Sequence, residues 1–186
     1  MLGTTQISTR PVRPLKRSEY DRLVTMGAFD RERIELIRGM LVEMSPTNPK
    51  HAETVDRLDE RLKAALKGRA KVRPQMPVCA LDESEPEPDL AVVPTGDYSE
   101  EHPSRALWII EVADSSLRFD REIKAPLYAA SGFQEYWIVN LRDGVVEVHR
   151  HARGDVWTEV VHHPREAVLS PLAFPDLKIA LNELFG

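Results

Sequence analysis

Two spacings alternate along this chain. From His51 to Leu66 the apolar residues Val55, Leu58, Leu62, Ala65 and Leu66 recur at helical intervals with charges between them, and Gly68 follows, which is the signature of an amphipathic helix with a glycine stop. Strand-like apolar runs stand at Met76 to Leu81, Asp89 to Val93, Leu107 to Val112 and Tyr136 to Val139. Two hairpins are expected: one over residues 33 to 44, turning at Arg38-Gly39 and broken by Ser45-Pro46, and one pairing Val145 to His149 with Val156 to Val161 around Gly154. Ser18 can cap a short helix running to about Gly27, with Asp21 as a weak capping-box partner. Another helix is expected between Ser116 and Gly132, kinked or shortened by Pro126, and a last one over Ile179 to Phe185. This mixed order predicts an α/β fold, a single domain in which helices flank one mixed central sheet. Residues 1 to 14 carry no periodic apolar face and read as a flexible N-terminal arm, leaving 15 to 186 as the folded domain.

Composition narrows the class. With 186 residues, 42% hydrophobic and 30% charged, the chain can bury a real core. Its 14 prolines and 9 glycines are scattered, and 25 Lys+Arg against 30 Asp+Glu leave a net charge of -5, so collagenous and strongly polyionic classes are excluded. The acidic balance weighs a little against nucleic acid without deciding it, because phosphate binding depends on local cations and metal. Cys79 is the single cysteine, so neither an internal disulfide nor a thiolate metal site can form. No apolar run approaches the roughly 18 residues of a membrane span, and Met1 to Thr9 show neither a basic leader nor an apolar core segment. The expectation is a cytoplasmic protein with no membrane partner.

The sequence contains no phosphate-cradling glycine loop, no HExxH and no Gly-x-Ser-x-Gly. Its candidate chemistry lies in carboxylates at the ends of very apolar strands, where a charge is costly to bury without a partner. Asp89 opens Leu90-Ala91-Val92-Val93 behind Pro86-Glu87-Pro88, and Glu111 stands near the end of Leu107 to Val112. If these strands are antiparallel neighbours, the two carboxylates converge. Glu111 shares the face of Leu107 and Ile109 and points into a packed layer. Two carboxylates and a backbone carbonyl, that of Val112, suit a hard cation such as Mg²⁺ or Mn²⁺. Acidic residues at strand ends are also commonly just solvated, and the neighbouring Asp82, Glu83, Glu85 and Glu87 read as a solvated acidic loop.

On the helix after Glu111, Asp120, Lys124 and Tyr128 fall at i, i+4 and i+8 and share a stripe. A lysine aimed at a metal-carboxylate site can orient water and neutralise phosphoryl charge. A surface Asp-Lys pair accounts for the same spacing. Lys67, Arg69, Lys71 and Arg73 alternate without an intervening acid, which on a strand gives a basic edge able to meet phosphate or to resist edge aggregation.

Several of these residues, in order, carry a resemblance. Glu35-Leu36-Ile37-Arg38-Gly39, Met44-Ser45-Pro46, His51, Pro88-Asp89, Glu111-Val112-Ala113-Asp114-Ser115-Ser116, Asp120 with Lys124, and Gly132 with Glu135-Tyr136-Trp137 resemble the Uma-type family of putative restriction endonucleases, within the PD-(D/E)XK nuclease superfamily. The likeness runs over about residues 15 to 180. It implies a restriction-endonuclease-like core and Mg²⁺- or Mn²⁺-dependent hydrolysis of phosphodiester bonds in nucleic acid, with DNA favoured and a homodimer as a natural form. It implies Asp89 and Glu111 as metal ligands and Glu35 as the upstream acid completing the shell or positioning water. His51, Asp120 and Tyr128 would be accessory. The superfamily lysine would fall at position 113, where this chain has Ala113, and Lys124 matches a lysine migrated to the following helix. The other reading is a catalytically inactive nuclease-like binding or assembly module, favoured by Ala113 and the net charge.

Overall fold

The computed structural model describes residues 12 to 185. Helix α1 (Arg17–Thr25) leads into the hairpin β1 (Ile34–Ile37) and β2 (Met40–Glu43), then the long helix α2 (Pro49–Ala65). Strands β3 (Lys71–Pro74), β4 (Leu90–Val93) and β5 (Trp108–Ala113) follow. A helical stretch comes next: one turn α3 (Leu117–Phe119), a π-helical segment Asp120–Lys124, and α4 (Ala125–Ala130). Strands β6 (Glu135–Asn140), β7 (Val145–Arg153) and β8 (Val156–Pro164) continue the sheet, and the pair β9 (Val168–Leu169) and β10 (Ile179–Ala180) precedes a 3-10 turn, Leu181–Leu184.

The central sheet has six strands in the order β3-β4-β5-β6-β7-β8, antiparallel except for β5 and β6, which run parallel and are joined by the helical stretch. Such a crossover places the helices on one face of the sheet. Period-two alternation divides the core accordingly. Trp108, Ile110 and Val112 of β5 pack with Leu58 and Leu62 of α2 on one face, while Ile109 and Ala113 pack with Leu127, Tyr128 and Tyr136 on the other. Glu111 therefore enters an aromatic layer, as its position in the strand predicts. The mixed α/β domain expected from the sequence is the fold observed.

Four local expectations are corrected. Helix α1 starts from Lys16 rather than Ser18, and Glu19 rather than Asp21 reaches back to accept from the Lys16 N–H at 2.9 Å. Met76 to Leu81 is not a strand. Pro77, Pro86 and Pro88 lack N–H groups, so only isolated bonds such as Val78 N–H to Pro86 O at 3.0 Å hold this segment, and the strand beside β4 is β3. Ile179 to Phe185 is not an α-helix either, and only Leu181–Leu184 coils, as a short 3-10 turn. Ile179 and Leu181 alternate inward as in a strand, then Leu181 and Leu184 meet the core at the spacing of three that a 3-10 turn provides. The run of Lys67 to Arg73 does not form a basic edge: Arg73 is buried, and it and Lys71 both lie over the Tyr98 ring. Of the expected arm, residues 1 to 11 lie outside the described residues; Arg13 pairs with Glu19 at 2.9 Å.

The β1–β2 turn is a pinch point. Arg38 and Gly39 both have positive φ, 50° and 75°, as a two-residue hairpin turn of the primed type requires. Gly39 donates its N–H to Glu83 O and accepts from Leu15 N–H at 3.0 Å, so the chain presses on it from two sides. A Cβ there would fall onto the Pro14 side chain and come within 2.8 Å of Pro14 Cα. Gly39→Ala is accordingly expected to lose about 2 to 3 kcal/mol of stability in urea unfolding. A loss below about 0.5 kcal/mol would mean that the hairpin is not held this way.

Candidate active site

Asp89 and Glu111 face each other where β4 begins and β5 ends, because the antiparallel register sets Leu90 opposite Ile110. The Asp89 N–H donates to Glu111 Oε2 at 3.1 Å, and the Val112 N–H donates to Asp89 Oδ2 at 2.8 Å. Extending the register places Pro88 opposite Val112, and proline has no N–H for the Val112 carbonyl. That carbonyl lies on the same strand edge as the N–H bound to Asp89. His51 Nε2 approaches the same oxygen, Asp89 Oδ2, at 3.0 Å. Asn48 brings His51 there. It caps α2 by accepting from the His51 N–H at 2.9 Å, with Pro49 in the first turn, and its own amide donates to Asp114 Oδ2.

Lys124 reaches the pair from the π segment. Its Nζ lies 3.0 Å from Glu111 Oε1 and 3.3 Å from Glu35 Oε2, and Tyr128 donates its hydroxyl to the same Glu111 oxygen at 2.8 Å. Pro126 has no N–H for the turn before it and its ring crowds that turn; the wider π coil relieves the crowding and leaves Asp120 and Lys124 both lining one cavity. Trp157 Nε1 donates to Ala125 O at 2.8 Å, anchoring the end of the coil. Glu35 arrives on β1 and also accepts from the Glu87 N–H at 3.1 Å.

The cavity, about 260 Å³, is walled by the hairpin, the Met44 to Asn48 loop, the start of α2, and the ends of β4 and β5. Every side chain expected from the sequence is here: Glu35, His51, Asp89, Glu111, Asp120 and Lys124 line it, and Tyr128 stands behind Glu111. The sequence reading missed Arg33, Asn48, Gln75 and Ser116, and it misjudged Glu87. The acidic loop is not uniformly solvated, since Glu85 is buried and Glu87 lines the cavity. The Asn-Pro start of α2 was the legible signal for Asn48; nothing local marked Gln75.

Carboxylates outnumber cations here, and the electrostatics follow. Burial pushes the Glu111 carboxyl well above the usual carboxylate range, with Lys124 as the main counterweight. Burial also raises Asp120, to about 6, against the pull of Lys124 and of a 2.7 Å hydrogen bond from Ser116. It raises Glu87 as well. Burial works against a charge on Lys124, but Glu111, Glu35 and Asp120 outweigh it, so the ammonium is held charged. For His51 burial disfavours the imidazolium, Asp89 outweighs it, and the net direction is upward.

This arrangement fits a hard divalent cation. Among the described residues no group of three His, Cys, Asp or Glu side chains is gathered closely enough to hold an ion by itself. What the cavity offers is an all-oxygen set: Asp89 Oδ1, which accepts from no donor among the described residues, the spare lone pairs of Glu111, and the Val112 carbonyl. A cation there would meet the excess of buried negative charge.

Residues 17–182 match the Uma2 family model, described as putative restriction endonuclease. A crystal structure described as a putative nuclease belonging to DUF820, from Anabaena variabilis ATCC 29413, superposes with a TM-score of 0.74 at 16% identity, covering 92% of this chain and 98% of that one. At that identity the likeness establishes the fold. No curated protein matches the chain. With nearly the whole folded region covered by the family model, the chain belongs to the Uma2 family of putative restriction endonucleases.

Proposed function

We propose that the domain is a Mg²⁺- or Mn²⁺-dependent endonuclease that hydrolyses phosphodiester bonds of nucleic acid, DNA in preference. The observation that carries this reading is the junction of Asp89 and Glu111 with a buried lysine between Glu111 and Glu35. Asp89, Glu111 and the Val112 carbonyl would hold the cation, with Glu35 able to complete its shell through water. When bound, such an ion polarises the phosphoryl oxygen and makes its water acidic enough to attack near neutral pH.

The chain's own groups prepare that step. Tyr128 and the Asp89 N–H orient Glu111, and His51 orients Asp89. Lys124, kept charged by Glu111, Glu35 and Asp120, is placed to balance negative charge that grows on the phosphoryl oxygens. Asp120 faces the same space and remains titratable near its raised value of about 6, which suits an accessory proton carrier. Cytoplasmic placement and a homodimer bringing two sites to two strands complete the reading. The outer strand β8, with Val156, Val160 and Val161 exposed, is the surface that supports a dimer. Among the described residues no helix is long and apolar enough to cross a membrane.

One observation favours the other reading, an inactive binding or assembly module: Ala113 is fully buried where the superfamily motif carries its lysine. Cleavage of plasmid, single-stranded DNA and RNA by the purified protein with Mg²⁺, Mn²⁺ or EDTA separates the two. Metal-dependent cutting is expected. Absence of cutting on every substrate, in a folded protein, would favour the module.

A further inference from the structure

Arg33 immediately precedes β1, two residues before Glu35, so its side chain projects on the same side of the hairpin and lines the same cavity. Its backbone is held by the Met44 N–H, which donates to Arg33 O at 2.8 Å. The guanidinium is exposed at the mouth and makes one long bond to Thr47 Oγ1, 3.4 Å. Other arginines of the neighbouring elements are neutralised: Arg118 by Glu122, Arg121 by Glu147, Arg142 by Asp114. Arg33 has no carboxylate within 4.0 Å among the described residues, although Glu35 and Glu87 line the same cavity. Its charge is felt at Glu87, where it opposes the effect of burial.

We infer that Arg33 forms a second phosphate subsite at the mouth of the cavity, gripping a backbone phosphate next to the one that lies between Asp89, Glu111 and Lys124. The inference rests on the nuclease reading and adds to it a positioning residue that contacts the strand one phosphate away from the reacting centre. An unpaired guanidinium offers a planar fork of N–H donors matched to two non-bridging phosphate oxygens. A carboxylate-lined interior that repels a polyanion leaves such a cation at the rim as the group able to hold the strand while the metal neutralises the centre. The wall that carries Arg33 also carries Glu35, so the hairpin sets the position of this subsite relative to the cavity that holds Asp89, Glu111 and Lys124.

The test is anisotropy of a labelled 12-nucleotide single strand and a 12-base-pair duplex, titrated over a range of salt, with Ca²⁺ replacing Mg²⁺ so that binding is read without turnover. Arg33→Ala is expected to weaken binding about tenfold at low salt and to lower the slope of log affinity against log salt by about 0.7 to 0.9, the share of one phosphate contact. Arg33→Lys should restore the slope and part of the affinity, because a point charge replaces the fork. Arg153→Ala, an exposed arginine at the far end of β7, should change neither. Nucleic acid bound by the wild type with affinity and slope indifferent to Arg33 overturns the subsite alone. A wild type that binds neither probe overturns the nuclease reading, and the subsite with it.

Discussion

Replacing Lys124 with methionine is expected to cost about 3 to 5 kcal/mol of folding stability near neutral pH, the range for removing one partner from a buried ion pair. Lys124 is 6% exposed and is the one cation between Glu111 and Glu35, each within 3.3 Å of its Nζ. Methionine fills the space but leaves two buried carboxylates facing each other. The deficit should depend on pH in a definite direction. Glu111 already has its folded-state pKa pushed upward by burial, and loss of Lys124 pushes it further. A carboxyl whose folded pKa lies above its unfolded value binds protons more readily when folded, so stability falls as pH rises through that window. Urea unfolding should therefore find a smaller deficit at pH 5 than at pH 8. Excess Mn²⁺ should return part of it by binding the folded state. A deficit below about 1 kcal/mol at both pH values would mean that Lys124 does not hold this site together.

The second large effect is chemical. Asp89→Asn keeps the shape of the side chain and an oxygen for the Val112 N–H, but removes the charge, so metal-dependent cleavage should fall by about 10²- to 10³-fold or more while urea unfolding moves by less than about 1 kcal/mol. Mn²⁺ affinity should fall with it. Equal cleavage by the two proteins would remove Asp89 from the chemistry.

Much of this site was legible before the structure, and the reason is strand geometry. A stiff Pro-Asp entry to one apolar strand and an acid near the end of another fix where two carboxylates meet once the strands pair antiparallel. Lys124 and Tyr128 were legible through helical spacing, although the coil between Asp120 and Lys124 is π rather than α, a distortion that Pro126 hints at without specifying. Glu85 and Glu87 were not legible. Their neighbours Asp82 and Glu83 read as a solvated run, yet residues 84 to 87 lie against β1, where the Glu85 N–H donates to Leu36 O and the Glu87 N–H to Glu35. Contacts of that kind join residues about fifty positions apart, and local pattern carries no trace of them. The closing segment failed for the opposite reason, since its apolar residues fit helix, strand and 3-10 spacing over too few positions to distinguish them.

The central claim is that the carboxylates at the β4–β5 junction are a divalent-metal site. Crystals of the protein soaked in Mn²⁺ and measured at the manganese absorption edge test it most directly. The account predicts an anomalous peak bonded to Asp89, Glu111 and the Val112 carbonyl, and its loss in Asp89→Asn. An empty junction in fully soaked wild-type crystals, or manganese bound only elsewhere, would contradict it.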